Sequence, residues 1–487
     1  MSDTIPDRDV NALETHISTL FFAPDRVYKL LKPVTTGFLD HSTVERRAGA
    51  IDAELRLNRR FAPDVYLGTA KVEENGAEVD RMLVMRRLPA SRRLSTLIGT
   101  AGFDDHLRKV VRAVAAFHAS APIVTGERPM TTAAGMAGLW RSSLEEIEPS
   151  VGTVIPRADY ERVSQLALGY LDQSAAMFDQ RRRLGMMRDG HGDLTVEDIF
   201  MLDDGPRILD CIAFDDDYRI CDVLADVAFL AMDVERLAGV DAAGALMRFY
   251  CELSNEHHPS SLAHHYVAYR AHVRAKIQLL RHRQGDETAA PAAVDYHRQA
   301  LQHLERARHR VIMVGGGPGT GKTTLARNLA DAFNWSTLDS DTVRKDLHGI
   351  DHDDHDVERH PELYSKASTD ATYAELVKRA GVLLEAGESV VLDATWTEPA
   401  HRVLARDVAA RHGAELIEFE CECDAEIARA RIAKRLRESA DPSDATPDRV
   451  AEFGFRHSSW PPARTIDTSR AIDVVLREAA NRLTGKD

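Results

Sequence analysis

Short apolar runs and amphipathic stretches alternate regularly in the C-terminal part of the chain, from residue 305 onward. The apolar runs predict strands, and stretches with one apolar face predict helices. Alternation of strand and helix is typical of a parallel sheet covered by helices on both faces, which makes this an α/β domain. The predicted strands lie near 311–314, 336–338, 389–392, 415–420 and 464–466, and the helices at 323–333, 365–386, 400–412, 424–438 and 469–484.

The region before residue 285 has a different pattern, in which strands come first and helices later. Two apolar segments joined by a Pro-Asp turn predict a β hairpin, and small strands return beyond residue 198. This order indicates an α+β arrangement and is expected of a bilobal enzyme. The predicted hairpin covers 16–23 and 26–31, further strands lie at 64–72, 81–85, 199–202 and 207–211, and helices lie at 42–61, 104–119, 157–182 and in the remainder up to about 283.

A small, polar segment interrupted by proline, GDETAAPAA at 285–293, separates the two regions and is the best linker candidate. A helix at 295–308 is predicted to lead from it into the next strand. We therefore expect a first domain at 1–284, a linker and connecting helix at 285–304, and a second domain at 305–487.

Composition predicts a soluble, cytoplasmic protein with no membrane partner. The 487 residues include 62 basic and 77 acidic ones, and the formal charge of −15 argues against general nucleic-acid binding. No apolar run of about 18 residues occurs, and the N-terminus is polar. Five cysteines without a C-x-x-C pair favour reduced thiols over disulfides or zinc, with a metal role for Cys421 and Cys423 as a minor alternative.

The stretch VIMVGGGPGTGKTT at 311–324 carries the strongest chemical signal. An apolar strand is followed by G-x-x-x-x-G-K-T and then by a helix, so that backbone N–H groups and the helix dipole can hold a polyphosphate. Lys322 would reach the β and γ phosphates, and the Thr323 hydroxyl would hold Mg²⁺. The predicted ATP-binding residues here are Gly316, Gly317, Gly319, Thr320, Gly321, Lys322, Thr323 and Thr324.

The next strand ends in LDSDTVRKDL, which places Asp341 and Arg344 at the edge of the sheet where ligands of open α/β folds bind. Asp341 can take a proton from an incoming hydroxyl, and Arg344, one helical turn later, can hold an anion. This S-D-x-x-R arrangement resembles small P-loop kinases such as gluconate kinase, the kinase module of polynucleotide kinase, and zeta-toxin-like enzymes. Asp341 could instead cap its helix.

Two further features extend the resemblance to small P-loop kinases. Asp393, at the end of VVLDATW, is similar to the acid that orients Mg²⁺ through water in such enzymes, although it could simply cap the strand end. Arg431 and Arg435 share a face of a helix that precedes ESADPSDATP, and such crowded arginines resemble a lid that closes over ATP. A solvated basic face is the alternative.

The histidine-rich segment HGIDHDDHDVERH at 348–360 is interpreted as a mobile loop over the acceptor site. Its histidines lack helical i, i+4 spacing, so a metal role is a minor alternative. Tyr364, Ser365, Thr369 and Tyr373 follow and could line an acceptor pocket, although the two tyrosines could equally belong to the core.

Carboxylates at suitable spacing for phosphoryl transfer also occur in the first region. HGDLTVED at 191–198 is followed by ILDC, which places Asp210 beyond the next pair of strands. Phosphoryl transfer needs one carboxylate near the attacking hydroxyl and others to hold Mg²⁺ on the phosphates. Asp193 is the predicted base, and Asp198 and Asp210 are the predicted metal ligands.

Residues 10–283 resemble the aminoglycoside phosphotransferase family of protein-kinase-like folds, whose pattern is H-G-D-x-x-x-x-N followed by a metal-binding aspartate. The resemblance implies that Lys29 binds the nucleotide, that Glu54 is its helix partner, and that Met85 begins the hinge beside the adenine. Lys32 is the alternative lysine, because a slip in strand register would exchange the two faces.

The remaining aspartates match the family pattern only in part. Asp222 and Asp226, in DVLAD, match family aspartates and are expected to brace the loop. Asp198 departs from the pattern, because it stands where the family has asparagine and adds a third negative charge, which should raise one pKa in the cluster. No glycine-rich cover over the phosphates is present at 13–22.

The sequence therefore predicts two ATP- and Mg²⁺-dependent modules that each transfer the γ-phosphate to a hydroxyl of a small molecule. The whole arrangement resembles bacterial bifunctional aminoglycoside phosphotransferase/ATP-binding proteins. Two alternatives stay open: a P-loop ATPase or ATP sensor with a regulatory kinase-like module, and an autokinase in which one module phosphorylates the other.

Overall fold

The computed structural model describes residues 11–15, 17–35, 40–352, 360–438 and 459–484, without the side chains of 361 and 435–438. The chain divides into two compact units. The first unit consists of Met1–Leu168, Phe178–His258 and Tyr266–Gln302, and the second consists of Gly169–Met177, Pro259–His265 and His303–Asp487.

The first unit begins with a five-stranded antiparallel sheet in the order β1-β2-β3-β5-β4. Helix α1, Val44–Asn58, packs Ile51 against it in a core that includes Leu31 and Leu83. The predicted hairpin is confirmed as β2 and β3. The strands are β1 Asn11–Glu14, β2 Ser18–Phe22, β3 Arg26–Leu31, β4 Tyr66–Glu74 and β5 Ala77–Arg86.

A helical region with two small two-stranded sheets follows this sheet. In its helix α6, residues 223–234 are buried on every side. One small sheet pairs β6, Met187–Asp189, with β9, Ile220–Asp222, and the other is a hairpin of β7, Ile199–Leu202, and β8, Gly205–Ile208. The helices are α2 Phe103–Ser120, α3 Ala133–Ile147, α4 Arg157–Asp172, α5 Ala175–Arg183, α6 Val223–Ala238, α7 Val240–Ser254, α8 Ser260–Arg283 and α9 Ala289–Ala307.

Three elements of this region differ from the sequence-based expectation. The predicted helix 157–182 is broken into α4 and α5, and α3 was not predicted. Helix α9 begins within the predicted linker 285–293. The helix can include Pro291 because this residue lies in the first helical turn, where backbone N–H groups have no intrahelical partner and the N–H that proline lacks is not needed.

The second unit contains a five-stranded, fully parallel sheet in the order β11-β12-β10-β13-β14. Its strands are β10 Arg310–Gly316, β11 Ser336–Asp339, β12 Val390–Asp393, β13 Glu415–Glu422 and β14 Arg464–Asp467. Its helices are α10 Lys322–Phe333, α11 Ser340–His348, α12 Lys366–Glu385, α13 Pro399–Arg411, α14 Ala425–Glu438 and α15 Ile472–Thr484.

Every residue of β10 is buried, because separate apolar cores cover the two faces of the sheet. One core joins α12 and α13 to the sheet, and the other joins α10 and α15. The predicted fold class is confirmed: one unit is of the α+β type and the other has a parallel sheet flanked by helices. All five cysteines are free thiols. Among the described residues, no helix combines the length and apolar content needed to cross a lipid bilayer.

Candidate active sites

The glycine-rich loop of the second unit joins the buried strand β10 to helix α10. Gly316, Gly319 and Gly321 have φ angles of 138°, 76° and 85°, which glycine adopts without strain. A Cβ at Gly319 would lie 2.5 Å from the Ala428 carbonyl oxygen, and one at Gly316 would lie 2.6 Å from that of Cys421. Strand β13 and helix α14 therefore confine the loop so closely that only glycine fits.

A cavity of about 380 Å³ lies along this loop and reaches the last helix. Five of the eight ATP-binding residues predicted in this loop line the cavity. The other three do not: Gly316 and Gly317 are buried, and the Thr320 hydroxyl donates to the Gly317 carbonyl at 2.9 Å. The cavity is lined by Gly319, Gly321, Lys322, Thr323, Thr324, Leu325, Arg431, Ile432, Thr468, Arg470, Ile472 and Val475.

We expect Gly319→Ala to weaken MgATP binding at this loop by roughly tenfold, because the new methyl group would overlap a backbone carbonyl. Gly349→Ala is the matched control, since Gly349 also has a positive φ but meets no atom within 4 Å of an added Cβ. Calorimetric titration with MgATP measures both variants. If both variants lost MgATP affinity equally, the positive φ angle alone, and not the contact with α14, would explain the effect of Gly319→Ala.

Asp393 ends β12 in register with Val314 on β10 and with Asp339 on β11. It is fully buried, and no backbone N–H donates to either carboxylate oxygen among the described residues, which argues against the alternative that it caps the strand end. Burial raises the pKa of this carboxyl, while the charge of Lys322 opposes the shift. A buried carboxylate that interacts with Lys322 and Thr323 fits a hydrated Mg²⁺, which prefers oxygen ligands.

Asp341 and Arg344 lie on α11 and contact each other. Asp339 caps this helix, accepting from the Thr342 N–H at 2.8 Å, so the alternative that Asp341 is the cap is wrong. Arg344 Nη1 donates to Asp341 Oδ1, and its guanidinium lies 4.8 Å from the centre of the Tyr364 ring. The predicted proton acceptor and anion-binding residue are therefore adjacent, although neither lines the cavity at Lys322.

Arg431 contacts the phosphate loop through Thr468. Its Nη2 donates to the Thr468 carbonyl at 2.7 Å, and the Thr468 hydroxyl donates to the Thr320 carbonyl. Arg431 therefore lines the cavity instead of forming a solvated face. The side chain of Arg435 and residues 439–447 of the segment ESADPSDATP lie outside the described residues, as do residues 353–359 of the histidine-rich segment.

Lys29 and Glu54 of the first unit form the ion pair that the family resemblance implies. Lys29 Nζ lies 2.8 Å from Glu54 Oε1 and 3.5 Å from Asp210 Oδ1. Burial disfavours the charged ammonium, but the two carboxylates outweigh it and raise the pKa of Lys29. Lys32 instead pairs with Glu14 at an exposed position, so the structure favours Lys29. Met85 is near the end of β5, opposite Val27 of β3.

The three predicted carboxylates of the first unit lie close enough to influence one another. Burial raises the pKa of both Asp193 and Asp198, and the charge of Asp210 adds to each shift. Asp198 accepts from the Thr195 hydroxyl at 2.6 Å, and Asp210 adopts a left-handed φ of 65° with its N–H donated to the Tyr66 hydroxyl. This clustering fits a divalent cation held by Asp198 and Asp210.

Asp226 holds the loop that carries Asp193. Its two oxygens accept from the N–H groups of His191 and Gly192 at 2.7 and 2.8 Å, and His118 Nε2 lies 3.1 Å from Oδ2. Asp222 instead caps α6 and pairs with Arg181. Both aspartates therefore brace the structure around the loop, as expected from the sequence.

Comparison with known proteins places the chain in a family. An uncharacterized protein of Mycobacterium tuberculosis is 35% identical over 465 residues, which cover 94% of this chain and 92% of that protein. This chain belongs to the same family. Residues 311–458 of this chain match the model for an AAA domain (AAA_33), and this segment contains the glycine-rich loop.

Two solved structures resemble parts of this chain: one is a complex with GDP and kanamycin, and the other is a gluconokinase. The GDP and kanamycin complex of APH(2")-IIia is 13% identical and aligns over 61% of this chain and 94% of that chain, with a TM-score of 0.41. A gluconokinase from Sinorhizobium meliloti is 15% identical over 37% of this chain and 93% of that chain, with a TM-score of 0.28. The predicted fusion of a kinase-like domain with a P-loop domain is confirmed.

Several contacts that shape these sites could not be predicted from sequence. The hydroxyl of the buried Tyr373 accepts from the Trp396 N–H at 3.1 Å and lies 3.2 Å from Thr395 Oγ1, which fixes the segment just after Asp393. Thr468 was also missed, although its place after the last strand of a parallel sheet is a general signal for ligand contact.

Replacing Asp226 by alanine is expected to destabilise the first unit by about 3 kcal/mol, because two buried N–H groups lose their acceptor. The measurement is urea unfolding followed by ¹⁹F NMR of 5-fluorotryptophan, since Trp140 is the only tryptophan of the first unit. Asp203→Ala is the control, because Asp203 forms only an exposed ion pair with Arg92 among the described contacts. Equal unfolding midpoints for the two variants would contradict the bracing role.

Proposed function

We propose that this chain is an ATP-dependent phosphotransferase with two nucleotide-binding units, each transferring the γ-phosphate to a hydroxyl of a small molecule. One observation carries the proposal: in each unit a lysine lies beside aspartates at the end of a strand or in a turn. These are Lys322 with Asp393, and Lys29 with Asp210 and the neighbouring Asp193 and Asp198. Phosphoryl transfer depends on such positioning of charge.

In the second unit, the loop N–H groups and Lys322 would bind the β and γ phosphates of ATP. Asp341 would take the proton of the acceptor hydroxyl, whose oxygen forms a bond to the γ phosphorus as the bond to the β–γ bridging oxygen breaks and ADP leaves. Arg344 pairs with Asp341 and would contact the transferred group after that pair opens. Arg431, held by Thr468, would stabilise charge on the phosphates.

In the first unit, Lys29 would bind the phosphates while Glu54 keeps its ammonium in place. Asp193 would accept the proton of the acceptor hydroxyl, on a loop that Asp226 holds rigid. Asp198 and Asp210 here, and Thr323 and Asp393 in the second unit, would hold Mg²⁺, which supplies neutralisation of phosphate charge when bound.

A second candidate function is that the second unit hydrolyses or senses ATP, while the first unit is a regulatory module that transfers no phosphate. The observation that favours it is the third carboxylate, Asp198, whose pKa is raised by burial and by the charge of Asp210. The carboxylates of this site therefore repel one another more than in the family pattern, which has asparagine at this position. An autokinase, in which one unit phosphorylates the other, is a separate alternative.

The test is a transfer assay of the full chain with [γ-³²P]ATP and a library of sugars, nucleosides and amino alcohols. The proposed function predicts labelled small molecules, and separate losses in Lys322→Met and Asp193→Asn chains. Steady ATP hydrolysis that no acceptor changes would favour the sensor. Label found by mass spectrometry on the protein itself would favour the autokinase.

A further inference from the structure

Two arginines of helix α8 lie beside the predicted base of the first unit. Arg274 Nη2 is 3.4 Å from Asp193 Oδ1, and Arg270, one helical turn earlier, also interacts electrostatically with that carboxylate. Both guanidinium groups lie over the same buried ring, at 4.9 Å for Arg270 and 5.1 Å for Arg274 from the centre of Phe229. Phe229 therefore fixes the pair in place at the reacting end of the site.

The nearby acidic groups already have other partners. Asp233 accepts from the Val196 N–H at 3.1 Å and pairs with Arg236 at 3.2 Å, and Asp210 lies 3.5 Å from Lys29. Among the described ion pairs, the carboxylate that Arg274 contacts is therefore that of Asp193. When Asp193 receives a hydroxyl proton, Arg274 is left without its anionic partner.

Arg270 has a donor that the described protein does not use. Its side chain is almost fully buried, its Nε donates to the Ala225 carbonyl at 3.2 Å, and its Nη2 has no hydrogen-bond partner among the described residues. An unpaired donor on a buried guanidinium is costly, so an arginine kept there purely for packing would be disfavoured. Arg270 interacts electrostatically with the Asp193 carboxylate, so a further negative charge held beside Asp193 would stabilise this buried guanidinium.

We propose that the acceptor alcohol of the first unit carries an anionic group, a carboxylate or a phosphate, which Arg274 binds with Arg270 behind it. The inference rests on the proposed phosphotransfer to a hydroxyl and names the substrate class of that site. Guanidinium groups bind carboxylate and phosphate through paired donors. The same two cations would repel a polycationic aminoglycoside, so this unit differs in substrate from the family that its sequence resembles.

The geometry also links acceptor binding to the chemistry. Arg274 now contacts Asp193, and an acceptor anion would replace that carboxylate as its partner. Asp193 would then be released to take the hydroxyl proton while the acceptor oxygen bonds to the γ phosphorus and ADP leaves. A neutral alcohol lacks the group that draws Arg274 away.

The experiment uses the full chain carrying Lys322→Met, so that transfer reports on the first unit. The acceptors are matched by charge: D-glucose, D-glucosamine, D-gluconate and D-glucose 6-phosphate, with glycerol, D-glycerate and glycerol 3-phosphate as a smaller set. Binding is read by saturation-transfer NMR and transfer by ³²P labelling. We expect binding and transfer only with the anionic acceptors. Comparison of the carboxylate compounds with the phosphate compounds shows which anionic group the site binds.

Arg274→Gln is expected to lower kcat/KM for the anionic acceptor by about 10- to 100-fold, chiefly through KM, because one charge-assisted contact is lost. Arg274→Lys should restore part of the affinity. Arg283→Gln, at an exposed position of the same helix, is the control and should change nothing.

Three results would overturn the inference. They are a preference for glucose or glucosamine, unchanged KM in Arg274→Gln, and faster transfer to neutral alcohols in that variant, which would mean that Arg274 merely blocks Asp193. Failure of the proposed function looks different: anionic compounds would bind, and lose binding in Arg274→Gln, without any transfer of phosphate. That outcome would keep the anion site and reject phosphotransfer in the first unit.

Discussion

Methionine in place of Lys322 is expected to remove one of two MgATP-binding events and to leave the other intact. Lys322 begins α10, and its charge opposes the rise in the pKa of the buried Asp393. The substitution therefore removes a phosphate partner and leaves Asp393 without that compensating charge. Loss of such preorganised electrostatic stabilisation weakens function by about 100-fold or more. Isothermal titration calorimetry of the full chain would show two sites in the natural protein and one in the variant.

Lys378→Met provides the matched control for Lys322→Met. Lys378 belongs to α12 in the same unit, is 73% exposed, and pairs with Glu375 one turn away. Exposed pairs of this kind contribute about 1 kcal/mol or less, so both MgATP sites should persist. If Lys322→Met also kept two sites of unchanged affinity, the glycine-rich loop could not be the phosphate-binding element of the second unit.

The fold of the second unit could be predicted because its sequence pattern is local. Strand β10 is buried on both faces and so appears as an uninterrupted apolar run, and the helices that cover it have an apolar stripe facing the sheet. The phosphate loop follows from fixed spacing alone. By contrast, β1 is exposed along its whole length, so no burial pattern marked it.

The contacts that position the proposed catalytic groups could not be predicted, because they join residues far apart in sequence. Thr468 reaches the phosphate loop only once β14 pairs with β13, and Trp460 covers Gly315 only in the folded sheet. The meeting of Arg274 with Asp193 likewise depends on how α8 packs. Spacing could identify Asp193 as a candidate base, but not the two cations beside it.

Asparagine in place of Asp193 is expected to reduce transfer by the first unit by about 10²- to 10⁴-fold, the usual effect of losing a general base. Asparagine has nearly the same shape but cannot accept a proton at neutral pH. MgATP binding should persist, because Lys29, Glu54 and Asp210 remain in contact. The measurement combines ³²P transfer with calorimetry, both in a chain that carries Lys322→Met. Asp241→Asn, at an exposed position of α7, should keep full transfer.

Asp198→Asn separates the loss of a base from the loss of a charge. It neutralises a carboxylate of the same cluster as Asp193→Asn does, and it introduces the amide that the kinase-like family has at this position. Because burial and Asp210 raise the pKa of Asp198, its removal relieves repulsion, and asparagine still offers an oxygen to Mg²⁺. Transfer should therefore persist or rise in Asp198→Asn while it collapses in Asp193→Asn. Parallel losses in both variants would mean that total negative charge, and not proton acceptance by Asp193, limits the reaction.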